Sequence, residues 1–493
     1  MRKKIGFNSG LVSASVSAPD GNDLTPKLLK LLWSYADEMR PHESADTLDL
    51  TAFMLYCSYV SRNADGLGLE DFDLNYSIDK AKYELGNKYV ASDFVDYYAS
   101  LCIQNPKLPD LRGVEFRTYD LSKAIGSWAS ILDASGLSLM EDSGGKTATT
   151  IQQVLAKMFA SDTWGRYGGE YATPLSIVAL ATRLANVEGK TVLDFACGNG
   201  IYLASALSKG AASDCGRDVS AQVVMRAKIG CFFANPTTIH DIAVADALTA
   251  ASVTAAAQCI FAAPPLAMHL HEFDIQEKDY FSDVMAAVVG NDSVRTPFME
   301  DFFVAKAYAS LTDDGIAVMH VSASFLFHQQ KARQTLRSAM VEGGRLQTVI
   351  ELPGGVIPGT SAKSALLVVG KQPTGDGVFI VDLDSKELTD KGYVSKGRGR
   401  CEITELGIDW LVKTVNQRDE IPLVSTVAER ERILASGSNL CYSSYGDVFD
   451  YGAILDEVRL TEDIMDDIKA AQASIDSLSE QIADILNSIE KKG

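Results

Sequence analysis

The stretch Thr191-Val-Leu-Asp194-Phe-Ala196-Cys-Gly198-Asn-Gly200 decides how this chain is read. A short β-favouring run, Thr191 to Phe195, carries the acid Asp194 near its end. It breaks into two glycines one residue apart, and Ile201-Tyr-Leu-Ala-Ser-Ala-Leu then returns to helical texture. Glycines let backbone approach a ligand closely, and a helix N-terminus favours polar or anionic groups. Alone, a Gly-x-Gly turn is weak evidence. Here a second acid, Asp218, follows the next apolar stretch at about the spacing of a ribose-binding carboxylate, with a surface loop acid as the alternative.

Working outward, short apolar runs alternate with helical stretches. Cys259–Ala263, Gly315–Val321, Gln347–Leu352 and Ala365–Gly370 read as strands. Strand-then-helix alternation from about residue 170 argues for a doubly wound α/β domain. Residues 371–445 add turns, a strand at Val378–Leu383 and the basic loop Lys396–Arg400. That loop is a candidate phosphate contact, weighed against a solvated turn.

Upstream, Thr25-Pro26 reads as an N-cap with proline at the first helical position, followed by Leu28, Leu29, Leu32 and Trp33 at helical spacing. Leu50–Ser61 is equally apolar, so the first third reads as an all-α domain. At the other end Ile464, Ile468, Ala471, Ile475, Leu478, Ile482, Ile485 and Ile489 follow a 4-3 spacing. That heptad seam predicts a helix that offers an apolar stripe to a partner, with packing on its own domain as the alternative. The expected division is 1–155 helical, 156–375 α/β, 376–445 strand and turns, and 446–493 heptad helix.

The 493 residues are 46% hydrophobic and 22% charged, a soluble globular composition. No run reaches the roughly 18 apolar residues of a membrane helix. The basic start lacks a signal-peptide core, and a cytoplasmic location is expected. Eight cysteines are scattered without a Cys-x-x-Cys pair, which argues against a zinc ribbon and for small buried hydrophobes. The net charge of −20 argues against a chain that grips nucleic acid unaided. His269 and His271 form a His-x-His pair that reads as solvated loop rather than metal site.

Asp194-Phe-Ala196-Cys-Gly198-Asn-Gly200-Ile-Tyr-Leu resembles the Asp-Pro-Ala-Cys-Gly-Ser-Gly-Gly-Phe-Leu motif of type I restriction–modification system modification subunits, which are N6-adenine DNA methyltransferases. Gly169-Glu170-Tyr171-Ala-Thr173-Pro174 resembles that family's segment over the methionine part of the cofactor, and Asp246-Ala-Leu its strand-end acid near the cofactor's adenine. The resemblance extends over nearly the whole chain. It implies a Rossmann-like S-adenosylmethionine-dependent methyltransferase domain, flanked by an all-α N-terminal domain and a C-terminal coiled-coil helix. It also implies DNA as substrate and a specificity-type subunit, or a second methylase-like subunit, as partner.

One motif departs. The family's Asn-Pro-Pro-Phe/Tyr positions the flipped adenine: the Asn side chain accepts from the exocyclic amine and the ring stacks on the base. This chain reads Ala263-Pro264-Pro265-Leu266. Near Ile357, where the family tends to carry another aromatic, the sequence is again aliphatic. Base stacking is worth about 1–3 kcal/mol and a positioned acceptor adds to it, so transfer is expected to fall by orders of magnitude. Three readings follow: a methylase-like subunit with impaired transfer, an active adenine methylase with an altered pocket, and a scaffold that keeps only the fold.

Overall fold

The computed structural model describes residues 24–39, 47–69, 105–111, 114, 121–140, 145–160, 173–250, 256–271, 275–291, 294–357, 359–375, 377–397, 400–447 and 461–490. At its centre are β1 (Thr191–Asp194), β2 (Ser213–Asp218), β3 (Asp241–Val244), β4 (Ala257–Ala262), β5 (Leu311–Ser322), β6 (Leu346–Leu352), β7 (Ser364–Gly370) and β8 (Gly377–Asp382). β9 (Val394–Gly397) and β10 (Arg400–Ile403) form a separate antiparallel pair, and β11 is Ser425–Glu429. The main sheet has nine strands in the order β11-β8-β6-β7-β5-β4-β1-β2-β3. β7 is antiparallel to β5 and β6, and β11 to β8; the remaining pairs are parallel.

The strands anticipated from apolar runs are present. Their side chains alternate between two cores, as the two-residue period of a strand buried on both faces requires. Val192, Phe261, Val318, Ile350, Leu366 and Phe379 join one cluster, whereas Leu193, Ile260, Met319, Val349, Leu367 and Ile380 join the other. The first cluster continues without a break into the N-terminal helices, through Leu28, Phe53, Trp128 and Ile151. The helix Lys146–Phe159 runs through residue 155. β8 and β11 extend the main sheet rather than standing apart from it.

Five strands, β2, β3, β9, β10 and β11, were not legible, and the first two border the site. β2 carries Asp214, Arg217 and Asp218 and has no apolar run. Its charges are absorbed locally: the buried Asp214 meets His240 Nδ1 at 2.8 Å, and Arg217 pairs with Asp241 at 2.9 Å. The short β3, Asp241–Val244, holds the outer edge. The first helix also differs from expectation. It spans Leu24–Met39, which puts Thr25 inside the first turn rather than at the cap, a shift within the usual fraying of helix ends.

The helix Thr47–Arg62 is buried along most of its length. Tyr56 and Tyr59 meet Phe232 and Phe233 of the helix Ala221–Ala234 edge-on, at 4.9 and 5.2 Å for the closest pairs. Trp128 donates to Ser58 Oγ at 2.9 Å. At the far end the helix Thr461–Glu490 carries the heptads; Ile468, Ile475, Leu478 and Ile482 are 56–57% exposed. The side chains of Ile464, Ile485 and Ile489 lie outside the described residues. Among the described residues no helix is long and apolar enough to cross a membrane.

The strand order reverses direction at β1, between β2 and β4. In such sheets ligands bind beyond the carboxyl ends of the strands at this point. Both stretches singled out in the sequence, after β1 and after β4, lie there. The packing beneath them is testable. Phe261 is 2% exposed and stacks on Tyr202 at 4.4 Å. Phe261→Ala should cost about 3–5 kcal/mol in chemical denaturation, whereas Ile239→Ala, at a site 60% exposed, should stay within about 0.5 kcal/mol of the parent.

Candidate active site

The turn after β1 is held by carboxylates. Asp218 Oδ2 accepts from Gly198 N at 2.9 Å, and its Oδ1 accepts from Ser220 N at 3.0 Å. Cys197 N donates to Arg217 O at 3.0 Å, and Gly200 N to Cys197 O at 2.7 Å. The two glycines do different work. Both have positive φ, +49° and +69°. A Cβ on Gly200 would lie 2.7 Å from Ala227 Cα, so that glycine allows the turn to sit on a helix. A Cβ on Gly198 would meet nothing within 4 Å, so backbone there borders open space.

Asp194 is 3% exposed and accepts from Ala196 N at 3.0 Å. Burial pushes its carboxyl up to about 8, assisted by the nearby Asp218 and opposed by the Ala196 N–H. Asp246 follows β3 and accepts from Leu248 N at 2.9 Å. Behind it Lys306, 1% exposed, donates to Ala247 O at 2.6 Å and lies 4.5 Å from the centre of the Phe195 ring. Burial lowers Lys306 to about 8, against the pull of Asp246. Val219, beside Asp218, leaves an apolar side chain 67% exposed.

The segment after β4 begins at half-buried Ala263, which packs against the first core. Pro264 is buried, Pro265 exposed and Leu266 intermediate. Ala267 turns the chain with φ +55° and donates its N–H to Glu300 Oε1. The buried Glu300 also accepts from Ser322 N and Oγ, each at 3.0 Å. Arg333, fully buried, lies 4.0 Å from Glu300 and donates to Asp301 at 2.7 Å. Neither Ala263 nor Leu266 has a side chain that accepts a hydrogen bond. Ile357, in the β6–β7 loop, is only 4% exposed, and Gly355 O in the same loop accepts from Cys401 N at 2.8 Å.

Gly198 and Asp218 are therefore joined directly, and Asp194 interacts electrostatically with Asp218. Thr173 is half-buried just before the helix Leu175–Leu184. Glu170 and Tyr171 lie outside the described residues. Lys396, in the loop read as a candidate phosphate contact, pairs with Asp384 at 2.7 Å. Glu300, Lys306 and Arg333 escaped the sequence reading. Their signal was available: a Glu300-Asp301 pair and a lysine within the apolar run from Phe298 to Ala309, where buried charge demands partners.

With this arrangement established, comparison with known proteins is decisive. The model of the family described as N-6 DNA Methylase matches residues 149–451. The chain belongs to that family. It is 22% identical over 450 residues to the methylase subunit of the type I restriction enzyme MpnII of Mycoplasma pneumoniae, covering 87% of this chain and 77% of the relative. Among solved structures, it resembles the type I restriction–modification methyltransferase subunit from Streptococcus thermophilus with a TM-score of 0.65 at 18% identity, covering 86% of this chain and 100% of that one. A chain from a study of type I complex assembly and conformational transition aligns with a TM-score of 0.59 at 15% identity, covering 94% of this chain and 99% of that one. The fold is thus that of N-6 DNA methylases.

Two measurements separate the roles at the turn. Gly200→Ala should lower stability by about 2 kcal/mol or more, through overpacking and a left-handed side chain, while Gly198→Ala should cost only about 1 kcal/mol; denaturant midpoints of the two variants decide this. The raised Asp194 acid has a defined sign. Its folded value exceeds its unfolded one, so its contribution to stability falls as pH rises from about 4 to about 8. Asp194→Asn should therefore gain melting temperature on the parent as pH rises from about 5 to about 8, and a constant difference would contradict the burial argument.

Proposed function

We propose that this chain is the methylase-like subunit of a bacterial DNA modification or defence complex. It binds S-adenosylmethionine at the 194–200 turn, and adenine N6 transfer by it is impaired. The observation that carries this reading is the pairing of an ordered Gly198–Asp218 turn with a β4 end whose side chains offer no acceptor. The residues fit the cofactor. Open space borders the Gly198 backbone, and the Asp218 oxygens keep lone pairs beyond those used by Gly198 and Ser220 N–H.

In this reading Asp218 takes the ribose hydroxyls. Val219 offers an apolar wall to the adenine ring, and Asp246 lies near its polar edge. Glu170, Tyr171 and Thr173 cover the methionine end, while Asp194 and Ala196 shape the floor. The cofactor supplies an electrophilic methyl group; the protein's task is to place an amine in line with it. Pro264 and the backbone around it remain to do so. Ala263 supplies no side-chain acceptor, and Leu266 supplies no stacking ring. Ile357, being buried, contributes bulk rather than an open face.

DNA contact is assigned to the assembled complex, because a chain with net charge −20 has little to neutralise phosphate with. The exposed heptad residues of the C-terminal helix are the docking stripe for a specificity-type or second methylase-like subunit. The cytoplasm is the setting for such a complex.

The test is incorporation of labelled methyl groups into adenine-containing DNA, with a specificity subunit present. The parent should transfer orders of magnitude more slowly than an intact methylase. Ala263→Asn with Leu266→Phe should restore part of the activity, and neither change alone should suffice. Adding Ile357→Phe tests the third position, at a site where overpacking costs about 1–3 kcal/mol. Brisk transfer by the parent would refute impairment. Separately, Ile475→Glu with Ile482→Glu should release the partner in size-exclusion chromatography while leaving the melting temperature of the isolated chain unchanged; loss of folding would mean that the helix packs internally.

A further inference from the structure

One side chain links the cofactor turn to the N-terminal helices. Arg226, on the helix Ala221–Ala234, donates Nη1 to Asn199 Oδ1 at 3.2 Å. Asn199 is the residue between Gly198 and Gly200, and its Nδ2 reaches Phe159 O at 3.5 Å. The same guanidinium donates Nε to Asp49 Oδ1, on the helix Thr47–Arg62. The side chains of Arg226 and Asp49 are 16% and 3% exposed, so water screens the pair poorly.

The adjacent Ala227 is the residue on which Gly200 rests. Two successive positions of one helix thus grip the turn: Ala227 through a glycine without a side chain, and Arg226 through Asn199. The other end of that helix is held by the helix Thr47–Arg62, through Tyr56 and Tyr59 against Phe232 and Phe233. If the helix Thr47–Arg62 withdrew, Arg226 would lose its buried carboxylate. Its guanidinium would then seek solvent or another anion, and Asn199 would lose a charge-assisted donor.

We propose that Arg226 is a positioning residue for the cofactor turn, and that it makes cofactor affinity depend on the seating of the N-terminal helices. A partner or nucleic acid that moves those helices would thereby change how tightly cofactor is held. Linkage requires the reverse as well: bound cofactor must tighten the seating of the helix Thr47–Arg62. This inference rests on the assignment of S-adenosylmethionine to the 194–200 turn.

The experiment is calorimetric titration of the full chain with S-adenosylmethionine, for the parent, Asp49→Asn, Arg226→Met, Arg226→Lys and the double Asp49→Asn/Arg226→Met. Loss of a charge-assisted hydrogen bond predicts about tenfold weaker binding for Arg226→Met, with partial recovery in Arg226→Lys. Asp49→Asn, remote from the ligand, should also weaken binding, and should have no further effect once Arg226 is Met. In parallel, hydrogen exchange across 47–62 should slow when cofactor is added to the parent and not when it is added to Arg226→Met.

Unchanged affinity in Asp49→Asn, or simple additivity in the double variant, would overturn the linkage while leaving the cofactor assignment intact. No binding by the parent would overturn the assignment, and this inference with it. Should Arg226→Met fail to fold, Asp49→Asn and Arg226→Lys still decide, through affinity together with exchange in 47–62.

Discussion

Asp218 receives two backbone N–H groups, from Gly198 and Ser220, and the candidate site depends on that convergence. A buried or half-buried N–H without a partner is costly, so a sharp turn needs an acceptor brought to it. Here the acceptor comes from the next strand. The parallel register that pairs Asp194 with Gly216 carries the end of β2 alongside the turn after β1. Once Gly198 is fixed, its neighbours follow. Gly200 can rest on Ala227, Asn199 can meet Arg226, and the helix Ile201–Ser208 can start with its N-terminus facing the end of the sheet.

The segment after β4 is stabilised by different means. Its shape comes from Glu300, which binds Ala267 N–H and the end of β5 at once, and from Arg333, which lies close to Glu300. None of these contacts uses the side chain at position 263 or 266. The identity of the residue at 263 or 266 therefore leaves these anchors untouched.

Much of this was readable in the amino-acid order. The strand Thr191–Asp194, the apolar strands of the sheet centre and the long C-terminal helix all follow from periodicity, because strand burial and a helical stripe each write themselves into apolar spacing. Spacing singled out Gly198 and Asp218 separately, but not the hydrogen bond that joins them. What stayed hidden depends on partners distant in sequence. The polar side chains of β2 find their partners, His240 and Asp241, outside the strand. The burial of Glu300 is intelligible only with Ala267, Ser322 and Arg333 beside it. Arg226 reads as a surface helix residue until Asp49, 177 positions earlier, is folded against it. The first core also joins the N-terminal helices to the sheet, a continuity that texture does not display.

Everything proposed for this chain depends on the turn after β1 holding S-adenosylmethionine. A crystal structure of the full chain grown with S-adenosylhomocysteine measures this most directly. The account predicts electron density along the Gly198 backbone, with the ribose hydroxyls on Asp218, the adenine against Val219 and near Asp246, and the methionine end toward Asp194. Density elsewhere on the molecule, or an unchanged Gly198 turn with no ligand at saturating concentration, would contradict it.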